Sequence, residues 1–189
     1  MMGYTTPYAR KLYRILSNNS FLFSEMIATK SLIYSKSREN IIDNDYNNPV
    51  ALQVGGSEIE DLTKASKIAI DYNYDEINLN IGCPSPKVQS GNFGACLMGK
   101  PKTVATCIEE MKKSCNIPIT VKHRLGIDNL DSDDYLLKFV DTCSLAGADR
   151  FIIHARKAWL NGLNPKENRT IPPLQYLSLI HISEPTRPY

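Results

Sequence analysis

The sequence predicts an α/β chain built on a parallel sheet, specifically part of a TIM (β/α)8 barrel. Three observations lead there. Short β-branched or apolar runs that end in polar or glycine-rich residues alternate with longer stretches of helical periodicity, which is the signature of repeated βα units. Successive strand ends carry Gln53, Cys83, Lys122 and His154, at intervals of 30, 39 and 32 residues, about one βα unit each. A barrel places its site at that C-terminal rim. No GxGxxG loop opens a helix after a strand, as a doubly wound dinucleotide fold requires, and Gly55-Gly56 is only a tight turn.

The elements follow in order. A helical pattern covers Pro7–Ser17, and a strand is predicted at Phe21–Ile27. Ser35–Asn48 is rich in Asn and Asp without periodicity and reads as a surface excursion. In the strand Val50–Gly55, Leu52 and Val54 share one face and Gln53 points to the other. The helix Ser57–Tyr72 opens with Ser57-Glu58-Ile59-Glu60, a capping-box pattern, and turns Leu62, Ala65, Ile68 and Ala69 to the sheet. The strand Glu76–Gly82 sets Ile77, Leu79 and Ile81 against Asn78 and Asn80. After a helix at Lys102–Ser114, the strand Ile117–Arg124 sets Ile119 and Val121 against Thr120, Lys122 and Arg124. A helix at Ser132–Ala146 precedes the strand Phe151–Ala155, where Ile152 and His154 face together and Arg156 follows.

The length of 189 residues suits one domain. With 42% hydrophobic and 22% charged residues, disordered, collagen-like and coiled-coil classes are excluded. A net charge of +2 is too small to predict a nucleic-acid partner from bulk charge. No window approaches the ~18 uninterrupted apolar residues of a membrane span, and the N-terminus lacks a signal-peptide pattern, so a cytoplasmic chain is expected. Five cysteines without a CxxC pair read as reduced thiols. His123, His154 and His181 are scattered singly, which predicts no structural metal.

Several residues invite chemistry. Lys122 lies on an inward face, where a buried ammonium is costly unless an anion or ligand compensates it; a structural ion pair is the alternative. Most cysteines are small buried hydrophobes, but Gly82-Cys83-Pro84 puts this thiol in a sharp turn just past a strand, where it can be exposed. Gln53 is either a site residue or a satisfied polar strand end, and His154 either a ligand contact or a core histidine. Cys107, Cys115 and Cys143 lie in helical patterns and read as packing residues, with Cys96 open to either use. Arg150–Arg169 holds five basic residues and one acidic one, which suits phosphates or a solvated loop.

The run Leu79-Asn80-Ile81-Gly82-Cys83-Pro84, continuing through Val88-Gln89-Ser90-Gly91-Asn92-Phe93-Gly94-Ala95-Cys96-Leu97-Met98, resembles the signature of the tRNA-dihydrouridine synthases. Further matches are Ala51-Leu52-Gln53-Val54-Gly55-Gly56, Val121-Lys122-His123-Arg124-Leu125-Gly126-Ile127-Asp128 and His154-Ala155-Arg156-Lys157-Ala158-Trp159-Leu160. Pro165-Lys166-Glu167-Asn168-Arg169 and Ile171-Pro172-Pro173-Leu174 point to the A-type subfamily, and the likeness covers residues 1–176. It implies an FMN-dependent reductase on a TIM barrel, in which reduced flavin, recharged by NADPH, delivers hydride to C6 of uridines 20 and 20a in the tRNA D loop. Cys83 would protonate C5. Gln53, Lys122 and His154 match flavin-contacting positions, Asn80 a substrate contact, and Lys166 and Arg169 the tRNA-binding signature. The resemblance also implies a monomer with a C-terminal helical tRNA-gripping domain.

Two departures concern the ends. The family pattern opens with a strand leading to a Pro-Met pair at the flavin. Here Met1 and Met2, counted with the flavin contacts, run directly into the first helical pattern, so that strand is expected to be missing. Gly3 also stands where an acidic residue is usual. Leu177–Tyr189, LSLIHISEPTRPY, resembles translated sequencing-adapter read-through and is set outside the functional reading together with His181. About strands 2–6 of a barrel remain, which predicts an open edge and an uncovered apolar inner face, and a chain that holds FMN poorly because the phosphate-binding loops after strands 7 and 8 are absent. The rival readings are a Schiff-base aldolase using Lys122 and a non-catalytic RNA-binding fragment.

Overall fold

The computed structural model describes residues 3–36, 42 and 49–179. Met1, Met2 and His181 lie outside them, and of the predicted tail only Leu177, Ser178 and Leu179 lie within. Helix α1 (Pro7–Leu16) starts where the Thr6 hydroxyl accepts from Ala9 N, with Pro7 in the first turn, where its missing N–H is harmless. Near its end Arg14 Nη2 donates to Pro49 O at 3.0 Å.

The predicted strand Phe21–Ile27 is instead two short pieces, β1 (Leu22–Phe23) and β2 (Ile27–Ala28), both parallel to β3 (Val50–Gly55). Ser24 breaks the run: its buried Oγ accepts from Gln53 N at 2.8 Å and takes a bond that a ladder carbonyl would have received. Helix α2 (Thr29–Tyr34) follows. Of the predicted surface excursion, residues 37–41 and 43–48 lie outside the described residues. Ile42 departs from it, being fully buried, with its carbonyl accepting from Tyr74 Oη at 3.1 Å.

Helix α3 (Ile59–Asp71) buries Leu62, Ala65 and Ala69, as its stripe predicts. The capping box does not form. The N-cap is Glu58 rather than Ser57, and no side chain bonds the first turn, which keeps only the favourable charge of Glu60 and Asp61. Next come β4 (Glu76–Ile81) and a short helix, α4 (Pro86–Ser90), capped by Ser85. A 3-10 turn over Gly94–Gly99 leads into α5 (Pro101–Ser114). Strand β5 (Ile119–Arg124), helix α6 (Asp133–Leu145), capped by Ser132, and β6 (Arg150–His154) complete the alternation.

The sheet has the parallel order β1-β3-β4-β5-β6, with β2 also on β3. Its outer face carries Leu52, Val54, Ile77, Leu79, Ile81, Ile119 and Val121 into one core with α3, α5 and α6. Strand alternation then aims Gln53, Asn78, Asn80, Thr120, Lys122, Arg124 and His154 inward, and the register keeps them level: Gln53 beside Asn78, Asn78 beside Thr120, Asn80 beside Lys122, Arg124 beside His154. The inner face is thus largely polar, not the apolar surface expected of an unclosed barrel. The sheet also curls. A flat sheet would hold β1 and β6 about 19 Å apart, four strand spacings, yet the Arg150 guanidinium lies 5.2 Å from the Phe21 ring beside β1. This is the curvature of a partial TIM barrel.

Candidate active site

A rail of polar side chains climbs the inner face toward the cysteine turn. Arg150 pairs with Glu76, and Thr120 Oγ1 donates to Glu76. Above them Asn78 Nδ2 donates to Thr120 Oγ1 at 2.7 Å, and Gln53 Nε2 to Asn78 Oδ1 at 2.8 Å. Asn80 Nδ2 donates to Gln53 Oε1 at 3.0 Å. Burial pushes the Glu76 carboxyl upward, against the opposing pull of Thr120 and Arg150. A buried polar network is stable only when its members satisfy one another, and these amides do.

The rail ends on the turn it supports. Asn80 Oδ1 accepts from both Gly82 N and Cys83 N, at 3.1 and 3.0 Å. Cys83 is half-buried, and its carbonyl accepts from Ala95 N at 2.9 Å. Gly94 permits that approach: it sits at φ +76°, and a Cβ there would lie 2.5 Å from Cys83 O. Asn80 therefore has both acceptor sites and one N–H committed within the protein, leaving one N–H for a ligand. Cys96 is resolved as a packing residue, its thiol donating to Phe93 O at 3.2 Å and pushed upward by burial. Burial also pushes Cys107 to about 11 and Cys143 to about 12, as inert thiols require.

Beside the cysteine turn the inner face is cationic. Lys122 is half-buried, and among the described residues no hydrogen bond or ion pair meets its ammonium; burial and then Arg124 hold its pKa down. Arg124 is buried and held at about 10. His154 is held at about 4, by burial first and then by Arg124, Lys122, Arg156 and Arg169. Four cations acting on one imidazole describe a site shaped for an electron-rich or anionic partner.

The structure therefore brings Gln53, Asn80, Cys83, Lys122 and His154 to one rim and sets Arg169 within electrostatic reach of His154. Lys166 and Arg169 are exposed, the first capping and the second ending the 3-10 turn Glu167–Arg169, which is anchored by fully buried Asn168. The Asn168 amide accepts from Trp159 N and donates to Trp159 O and Leu163 O. Sequence reasoning put Asn78, Thr120 and Arg124 on the inward face without naming them as site residues. Glu76 shares their alternation and could have been found the same way. Asn168 carries no such signal, because its partners are backbone groups of a distant loop. Among the described residues no group of His, Cys, Asp and Glu is arranged to hold a metal, and no helix is long and apolar enough to cross a membrane.

Comparison with known proteins agrees with this geometry. The profile described as Dihydrouridine synthase (Dus) matches residues 1–185. A tRNA-dihydrouridine(20/20a) synthase of Synechocystis is 49% identical over 176 residues, covering 93% of this chain and 53% of that protein. Proteins of the same name from Shewanella oneidensis and Pasteurella multocida are 48% and 50% identical over 176 residues, 93% of this chain and 52% and 54% of theirs. The chain thus spans about half the length of these curated relatives. With the half-barrel, the cysteine turn and the cationic rim in common register, the chain belongs to the dihydrouridine synthase family.

Proposed function

We propose that this chain is part of the barrel of an enzyme that reduces uridine to 5,6-dihydrouridine at positions 20 and 20a of tRNA, with FMN as cofactor and NADPH as reductant. The observation that carries the reading is the pairing of a thiol, fixed by Asn80, with a rim of Lys122, Arg124 and His154. A half-buried ammonium that meets no counter-ion among the described residues fits the electron-rich edge of a flavin, and the Gln53 amide and the His154 imidazole supply further polar contacts. Gln53, Lys122 and His154 would hold the flavin, with Met1 and Met2 completing that set. When bound, reduced FMN supplies the hydride, and NADPH the electrons that renew it.

The protein's own groups do the rest. The Cys83 thiol donates its proton to C5 of the uracil ring while C6 is reduced. A thiol suits this because its ordinary state at neutral pH is protonated. Asn80 fixes the turn that aims the thiol and keeps one N–H for the uracil edge. His154, held at about 4, is neutral at physiological pH and acts as a hydrogen-bonding group rather than a cation. Lys122 offsets negative charge that develops beside it. The target base must leave the stack to reach this rim, and Lys166 and Arg169 stand exposed for the phosphates around it. A cytoplasmic, monomeric enzyme accords with this substrate. This 189-residue chain alone is expected to hold FMN weakly, and a stoichiometric yellow protein on purification would contradict that.

The test is the dihydrouridine content of tRNA from a strain lacking the gene, read by mass spectrometry. The full-length gene restores positions 20 and 20a. Cys83→Ala lowers the rate about 10²–10⁴-fold, and full restoration by that variant would overturn the assignment. The lowered pKa of Lys122 also suits a Schiff-base nucleophile. Borohydride trapping of a carbonyl substrate on a colourless full-length protein would favour that second reading.

A further inference from the structure

Arg124 ends β5 and points inward, 4% exposed. Its described bonds all go to carbonyl oxygens: Nε donates to Gly82 O at 3.0 Å, and Nη1 to Lys157 O at 3.1 Å and Asn168 O at 2.9 Å. Those three acceptors belong to three segments. Gly82 precedes Cys83, Lys157 lies in the loop after β6, and Asn168 anchors the turn that presents Lys166 and Arg169. A buried cation without a carboxylate is costly, and Arg156 and Arg169 add like charge nearby. A planar guanidinium holds its donors in fixed, separate directions toward these carbonyls, an arrangement that the single rotatable ammonium of a lysine does not reproduce. A second tie runs parallel to it, with Gln89 Nε2 donating to Pro84 O at 2.9 Å and Leu160 O at 2.8 Å.

We propose that Arg124 is a positioning residue: its guanidinium locks the Cys83 turn to the Lys166–Arg169 turn, so that RNA engagement and thiol placement are set by one rigid unit. Its meaning for catalysis rests on the proposed reaction, whereas the brace itself does not. The order of connection is Cys83 turn, Arg124, Asn168, then the basic turn. Loosening Asn168 should therefore be felt at Cys83 chiefly through Arg124, with the Gln89 tie between Pro84 and Leu160 carrying the smaller remainder.

The chain contains its own controls, because Cys107 and Cys143 are buried in helices at the opposite face of the sheet. Iodoacetamide labelling of the intact 189-residue chain, resolved residue by residue by mass spectrometry, reads all five thiols at once. Arg124→Lys should raise the Cys83 rate about tenfold, the scale of a lost hydrogen bond to a charged group, while Cys107 and Cys143 stay slow. Asn168→Ala should raise Cys83 about threefold with Arg124 present and clearly less in the Arg124→Lys background, where only the Gln89 tie still joins the two turns. If Arg124→Lys exposes every thiol alike, the decision passes to Asn168→Ala, in which Cys83 must rise alone. An unchanged Cys83 rate, an additive double variant, or a wild-type Cys83 as reactive as in the urea-unfolded chain would overturn the brace. None of these readings uses turnover. An enzyme without dihydrouridine synthesis but with a protected Cys83 would refute the proposed function and leave the brace standing.

Discussion

The helix layer over the outer face of the sheet and helix α1 are both amphipathic, yet they end in opposite conditions. In α5 and α6 the apolar positions Val104, Ile108, Met111, Leu136 and Phe139 are buried against the sheet. In α1 the positions Tyr8, Leu12, Ile15 and Leu16 are 83%, 55%, 81% and 74% exposed. Periodicity states which residues a helix is prepared to bury, whereas burial also requires a surface to meet. The described residues supply that surface for α5 and α6 and not for this side of α1. The two regions should therefore respond differently to the same kind of substitution.

The sharpest way to break the comparison is Phe139→Ala. This ring is 1% exposed and packs 5.1 Å from the His123 ring. Its removal leaves a cavity in the complete layer, with an expected loss of about 3–5 kcal/mol, read as a lower urea midpoint. A loss near zero would mean that the layer is no better packed than α1.

A smaller effect comes from His123 in the same layer. It is fully buried, and its Nε2 has no partner among the described residues. Burial holds it at about 4, with the Arg124 carbonyl opposing and the Lys122 charge adding. In the unfolded chain it titrates near 6.5. Below about pH 6.5 the unfolded state binds a proton that the folded state does not, so stability is full above that value and declines as pH falls toward about 4. The expected loss is about 2 kcal/mol by about pH 5, measured as urea midpoints at about pH 7.5 and about pH 5. His123→Leu should remove this share and leave that of His154, whose pKa is displaced in the same direction but whose partial exposure screens it.

The outer wall was legible in the sequence because two periods, two in strands and three to four in helices, point at the same layer. The strand ends were legible for the same reason: Gln53, Lys122 and His154 follow from alternation alone. What alternation does not carry is partnership. It placed Asn78, Asn80 and Thr120 on one face without showing that they form a single rail beneath Cys83. Ser24 broke the strand Phe21–Ile27 through one hydroxyl bond, and helix α3 began two residues beyond Ser57, each an outcome that local propensity does not decide. Arg124 and Asn168 were least legible, because their partners are backbone carbonyls brought together only by the fold.

The smallest expected effect is the most direct probe of α1. Ile15→Glu replaces an 81% exposed apolar side chain on a helix whose last turn already carries Arg14. No described neighbour loses a contact that burial made valuable, so the urea midpoint of this chain should move by no more than the equivalent of about 0.5 kcal/mol. The same charge in the buried layer, as Ile108→Glu, must enter a site that is 0% exposed, where an unpaired carboxylate costs several kcal/mol. If Ile15→Glu proved equally damaging, α1 would have to be covered in solution by a second surface. The contrast between a finished layer and a helix still presenting its apolar side would then dissolve, and sedimentation of the wild-type chain would show the association responsible.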